Sequence, residues 1–82
     1  MGELPEKYRR DISLLLLLFN SLGAINEEKA ISIRDITEFL NIHKESILHP
    51  LKKMIKKGYI AEKNGKYFIT RTGIRVVMGL IS

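Results

Sequence analysis

The side chains with the clearest chemistry in this sequence are lysines, and they are clustered. Between Lys44 and Lys57 the chain carries five lysines and one glutamate, and Lys63 and Lys66 flank Asn64-Gly65 a few residues later. Ammonium groups at this density suit phosphate neutralisation, in which they displace the counterions that surround a nucleic acid. The same groups also make an ordinary solvated surface, so their placement on secondary structure decides between the two. Catalysis has no comparable footing. The chain has no cysteine, hence no thiolate nucleophile, disulfide or thiolate metal ligand. His43 and His49 are six apart, on opposite sides of a helix, with no His-x₃-His pairing, so no metal site is expected. No Ser/His/Asp spacing, phosphate-cradling glycine loop or isolated carboxylate pair stands out. Neither an enzyme nor a cofactor-binding protein is expected.

Charge and length narrow the partner. Eighty-two residues suit one domain, 1–82, with a thin core, since a chain of this size buries roughly 60–65% of its unfolded surface. A hydrophobic fraction of 45% is too high for a disordered chain. The net charge of +5 is unevenly spread: residues 1–43 carry five basic against seven acidic side chains, and residues 44–82 carry nine against two. Tyr8-Arg9-Arg10, the apolar run Ile12 to Phe19 and then Ser21-Leu22-Gly23-Ala24 loosely mimic a secretory signal, but Asp11 interrupts the basic-to-apolar junction. The run also falls short of the ~20 apolar residues of a membrane span. A soluble, cytoplasmic, nucleoid-associated protein with no membrane partner is expected. Abundant isoleucine and lysine, with no Gln, Cys or Trp, fit a heat-loving or AT-rich source.

Elements that would position the lysines can be read along the chain. Residues 6–22 predict a first helix, with Pro5 at its start and Gly23 at its end. Its apolar residues sweep about 200°, with Leu17 beyond that arc, where burial of one face needs only about 100–140°. Ala30-Ile31 reads as a short extended stretch. Ser32 is an N-cap with Asp35 three residues on, and Ile33, Ile36, Phe39 and Leu40 keep helical spacing to Leu40. After the turn Asn41-Ile42-His43 a third helix is expected from Lys44 to about Lys57, ending at Gly58, with Ile47, Leu51, Met54 and Ile55 inward. Asn64-Gly65 between two short β-prone runs predicts a tight hairpin. Thr70 then caps a last helix, Arg71 to Ile81, whose apolar residues again span about 200°. The fold expected is α+β, mainly helical: helix, short strand, helix, turn, helix, hairpin, helix.

Two helices joined by a tight turn, the second basic, followed by a hairpin, form a helix-turn-helix with a wing. The chain here resembles the winged helix-turn-helix proteins, most closely small archaeal and bacterial regulators of the MarR-like and PadR-like kind. The resemblance lies in Ser32-Ile33-Arg34-Asp35-Ile36-Thr37-Glu38-Phe39-Leu40-Asn41-Ile42 and Lys44-Glu45-Ser46-Ile47-Leu48-His49-Pro50-Leu51-Lys52-Lys53-Met54. The step Lys57-Gly58-Tyr59-Ile60 and the exit Tyr67-Phe68-Ile69-Thr70-Arg71-Thr72-Gly73 complete it. It implies sequence-specific binding of double-stranded DNA as a transcription regulator, with the third helix in the major groove and the wing on the backbone. Lys44, Ser46 and His49 are then the expected base readers. Lys52, Lys53, Lys56, Lys63, Lys66 and Arg34 are the expected phosphate contacts. The chain departs from the pattern at His43, where a Ser or Thr is usual, and at Leu48, His49 and Pro50, where polar residues or an arginine are usual.

Lys63 and Lys66 should face each other across the hairpin, a like-charge pair that a phosphate would relieve. The surplus apolar arcs of the first and last helices predict a homodimer in which Leu14, Leu15, Leu17, Leu18, Val77, Leu80 and Ile81 form the interface. The size of the chain leaves little room for a small-molecule effector pocket. A second class stays open: a winged-helix adaptor that binds another protein within a transcription or replication assembly, through Leu48 and the apolar helices.

Overall fold

The computed structural model describes residues 6–81, with side chains described for 12–80. The elements are α1 (Glu6–Ser21), a 3₁₀ turn (Glu27–Lys29), β1 (Ile31–Ser32), α2 (Ile33–Leu40), α3 (Lys44–Lys56), β2 (Ile60–Lys63), β3 (Lys66–Ile69) and α4 (Arg71–Ile81). Apart from the 3₁₀ turn, this is the expected order α1-β1-α2-α3-β2-β3-α4 of a winged helix-turn-helix.

Local chemistry sets the boundaries. Ser32 and Asp35 form a reciprocal capping box at the start of α2, which satisfies two amide groups that a helix start leaves without partners. Asn41 ends α2 in the left-handed region at φ 56°, a conformation that asparagine tolerates. At the end of α3 the Tyr59 amide donates to the Met54 carbonyl and the Gly58 amide to that of Ile55, the paired closure that requires a left-handed residue, here Gly58 at φ 79°. The hairpin turns through Asn64 and Gly65, both at positive φ, as a two-residue loop matched to strand twist requires. Thr70 caps α4 by accepting the Gly73 amide.

The three strands form one antiparallel sheet in the order β1-β3-β2. β1 does more than lead into α2: it pairs Ile31 with Tyr67 and Ser32 with Lys66, so the wing is anchored to the helix-turn-helix along its inner strand. The core gathers Leu16 and Phe19 of α1, Ile36 of α2, Ile47, Leu51 and Met54 of α3, Ile60 and Ile69 of the wing and Val77 of α4. Among the described residues no charged or polar side chain is buried, so apolar burial supplies the driving force.

Two expectations about packing are corrected here. Leu15, Leu18 and Val77, expected at an interface between chains, are buried within the single chain. α1 packs on α3, β3 and α4, which covers most of the α1 arc, whereas of the described apolar residues of α4 only Val77 is fully buried. Leu17 is half-buried against the core, Leu14 and Leu80 are open to solvent, and the side chain of Ile81 lies outside the described residues. In α3, Ile55 is exposed and Pro50 takes the inward place beside Leu51. A proline inside a helix removes one amide donor; the position affected is the carbonyl of Ser46, four residues back, and Ser46 is itself exposed.

Candidate nucleic-acid interface

Helix α3 presents two unlike sides. Ile47, Pro50, Leu51 and Met54 are buried and recur at spacings of three, one and three. Half a turn away, Glu45, His49, Lys52 and Lys56 recur at spacings of four, three and four, all exposed. At 100° per residue these four lie within about 60° of one another. Lys53 is half-buried on one flank and Lys44 is exposed in the first turn. His43, the N-cap, makes no side-chain bond to the helix start.

Ser46 sits differently from the other two expected base readers. It lines a hollow of about 290 Å³ together with Leu14, Leu15, Leu40, Ile42, Ile47 and Pro50, about a quarter turn from the lysine face. Leu48 is half-buried rather than fully displayed, while Ile55 on the same flank is exposed. Phe39 moves the other way. Only Ile36 of the regular apolar positions on α2 is fully buried, and Phe39 is 62% exposed. It lines a second hollow, of about 450 Å³, with Leu22, Ile31, Asp35 and Glu38.

Near the N-terminus of α2, the Arg34 guanidinium donates to the Glu38 carboxylate at 3.0 Å. Both groups are largely exposed, and such a pair contributes about 0–1 kcal/mol, leaving Arg34 able to exchange carboxylate for phosphate. Asp35 is held below the ordinary carboxylate value, first by the Ser32 backbone amide it accepts, then by the Ser32 side chain, with Lys66 and Arg34 as nearby positive charges. A depressed folded-state value stabilises the protein above the unfolded-state value near 4, and the contribution fades as pH falls through the folded one. The variant Asp35→Asn is therefore expected to unfold more easily than the native chain at neutral pH, with the gap narrowing below about pH 4. Urea midpoints at about pH 7 and pH 3 measure it; a gap unchanged by pH would contradict the assignment.

On the wing, Lys63 and Lys66 are directly opposite in the β2–β3 register, as expected. Their repulsion is not left to an external anion alone. The Lys63 ammonium donates to the carboxylate of Glu27, in the 3₁₀ turn, at 2.9 Å, and Glu27, Lys63, Asn64 and Lys66 together line a hollow of about 260 Å³. Nothing local in the sequence announces Glu27, which lies 36 positions from its partner. Tyr67, opposite Glu62 in the same ladder, has its phenol pushed up by burial and then by that carboxylate, so it stays protonated and uncharged within the wing.

Among the described residues no group of His, Cys, Asp and Glu is placed to hold a metal ion, and no helix is long and apolar enough to cross a membrane. Together these features give one lysine-rich helix face, a neighbouring hairpin with lysines at its tip and a helix N-terminus beside them. Such a surface suits a polyanion with a groove. A search of curated proteins returns no significant match. A family model described as a winged helix DNA-binding domain, however, matches residues 9–72, from α1 through the wing into the first turn of α4. The match covers well over half of the chain, and the observed topology is the one it requires: the protein belongs to the winged helix DNA-binding domain family.

Proposed function

We propose that the protein is a transcription regulator of the small prokaryotic MarR-like and PadR-like kind, cytoplasmic and nucleoid-associated, that binds double-stranded DNA sequence-specifically as a homodimer. The observation that carries this reading is the segregation on α3: core side chains fill one side, and His49, Lys52 and Lys56 share the other. In the major groove, Lys44 and His49 of the N-terminal half reach base edges, with Ser46 at the margin, while Lys52, Lys53 and Lys56 meet phosphates. Lys66, Lys63 and Arg34 extend the phosphate contacts along the backbone. The test is binding to short duplexes as salt is varied, because each phosphate contact adds about 0.9 to the steepness of the salt dependence. No small-molecule effector is part of this reading.

The dimer is supported by what α1 and α4 leave uncovered. Leu14 is 59% and Met78 60% exposed, with Leu80 also open, on the two helices that pack together. A second copy laid over them would cover these side chains, and a two-fold pair suits half-sites about one helical turn of DNA, 34–36 Å, apart. Sedimentation at micromolar concentration is expected to give twice the chain mass of 9.4 kDa; a sharp species at 9.4 kDa would overturn the dimer and leave a monomeric DNA-binding domain.

One observation favours the adaptor as a second reading. Phe39 stands open beside Leu22 and Ile31, and an exposed aromatic in an apolar hollow is what a protein partner anchors on. A chain that ignores duplex DNA at low salt would move this reading ahead.

A further inference from the structure

The ion pair at the wing changes how many phosphates the wing holds. We propose that Glu27 acts as a resident stand-in for a DNA phosphate: its carboxylate occupies the anion position beside Lys63, so the wing contributes one net phosphate contact, through Lys66, and Glu27 sets the affinity of the surface. This rests on the reading that the wing lies along the DNA backbone.

Three observations carry it. Lys63 and Lys66 are paired directly across the hairpin, so their tip concentrates positive charge. The Glu27 carboxylate meets the Lys63 ammonium at 2.9 Å and lines the same hollow as Lys66. Glu27 is also held there by the backbone and not by its ion pair alone. The Asn26 side chain accepts the Lys29 amide at 3.0 Å, the Ala30 amide returns to the Glu27 carbonyl, and β1 follows at once, pairing with the wing strand β3. The turn and the wing tip are thus tied to one ladder, which places the Glu27 backbone within side-chain reach of the lysines.

The physical consequence is an exchange. A lysine already neutralised by a carboxylate releases no DNA counterion of its own when a phosphate takes over, because the displaced carboxylate must be re-solvated and then repels the backbone. Both partners are more than half exposed, so the pair is weak enough for a phosphate to displace. Replacing Lys63 and Lys66 together then flattens the salt dependence by about one unit instead of two, and the second unit appears only when Glu27 is neutralised.

The experiment measures duplex binding over a salt series by fluorescence anisotropy for the native chain, Glu27→Gln, Glu28→Gln, Lys63→Ala and the double variant Glu27→Gln/Lys63→Ala. All three positions are exposed, where substitution leaves folding nearly unchanged. Glu27→Gln is expected to tighten binding by roughly 3–10-fold at about 0.1 M salt and to steepen the salt dependence by up to about 0.9. Glu28→Gln, which removes the neighbouring charge, is expected to do much less. In the Lys63→Ala background the gain from Glu27→Gln should shrink to that of Glu28→Gln. Equal effects of Glu27→Gln and Glu28→Gln in the native background, or an undiminished gain without Lys63, would show only general repulsion and overturn the proposal. Native and Glu27→Gln chains that both fail to bind any duplex would instead overturn the DNA-binding reading on which it rests.

Discussion

The variant Gly73→Ala is expected to lose roughly 10–20 °C of thermal midpoint. Gly73 is buried in the first turn of α4, and a Cβ built there would collide with the Tyr59 carbonyl oxygen and come within 2.6 Å of Ile69 Cγ1. Neither neighbour can yield cheaply. The Tyr59 carbonyl is fixed by the Thr70 amide at 2.9 Å and by the Thr70 hydroxyl, and Ile69 is fully buried in the core. Relief therefore requires α4 to lift from the base of the wing. Overpacking of this kind costs about 1–3 kcal/mol, and each kcal/mol moves the midpoint of a domain this small by about 4–8 °C. Gly79, in the same helix, has nothing within 4 Å of its would-be Cβ. There, alanine should stabilise by about 0.5–1 kcal/mol through helix propensity alone. Thermal or urea unfolding of the two variants checks both signs. A Gly73→Ala chain as stable as the native one would show that α4 does not pack on the wing base as described.

The second large effect concerns binding. Replacing Lys52, Lys53 and Lys56 together by alanine is expected to weaken duplex binding by roughly 10²–10³-fold at about 0.1 M salt. The salt dependence should flatten by two to three units, at about 0.9 for each phosphate that is no longer neutralised. Alanine is the best helix former, and Lys52 and Lys56 are exposed with Lys53 half-buried, so α3 should persist and circular dichroism should confirm that it does. The weakening should be nearly uniform across DNA sequences, since phosphate contacts carry no base information. Replacing His49 by alanine should behave in the opposite way, changing which duplex is preferred while leaving the salt dependence nearly intact. If the triple lysine variant bound as tightly as the native chain, the exposed face of α3 would not be the DNA surface. Phe39 and its hollow would then become the part of the molecule to probe.

Which features were legible in the sequence follows from how locally they are encoded. The capping box at Ser32 and Asp35, the closure at Gly58 and the turn at Asn64-Gly65 depend on a few adjacent residues, and all three form as the chain implies. Element order and the lysine face of α3 follow from these signals with helical periodicity. The covering of each face does not. A wheel drawn on α1 gives angles, but five consecutive leucines fit several faces, and only the positions of α3, α4 and β3, all packed against α1, determine that Leu15 and Leu18 are internal while Leu14 is not. Phe39 keeps a core-like spacing on α2 yet lies beyond the reach of the core, because α2 is only eight residues long and meets it chiefly through Ile36. Pro50 displaces Ile55 from the inward side for a related reason: more than a turn earlier on the helix, it faces the body of α1, where both Leu14 and Leu15 line the same hollow. The Glu27–Lys63 pair belongs to a third kind, since it requires β1 to join the wing sheet, which two residues of strand scarcely signal.

Under the proposed function a lysine surface of α3 and the wing engages the phosphates of double-stranded DNA, and the salt dependence of native duplex binding reads that engagement. With Lys52, Lys53, Lys56 and Lys66 as net phosphate contacts, Arg34 being paired with Glu38 as Lys63 is with Glu27, the logarithm of the binding constant is expected to fall against the logarithm of salt concentration with a slope of about −3 to −4 per bound chain. A slope near zero, or no duplex binding at the lowest salt, would contradict it.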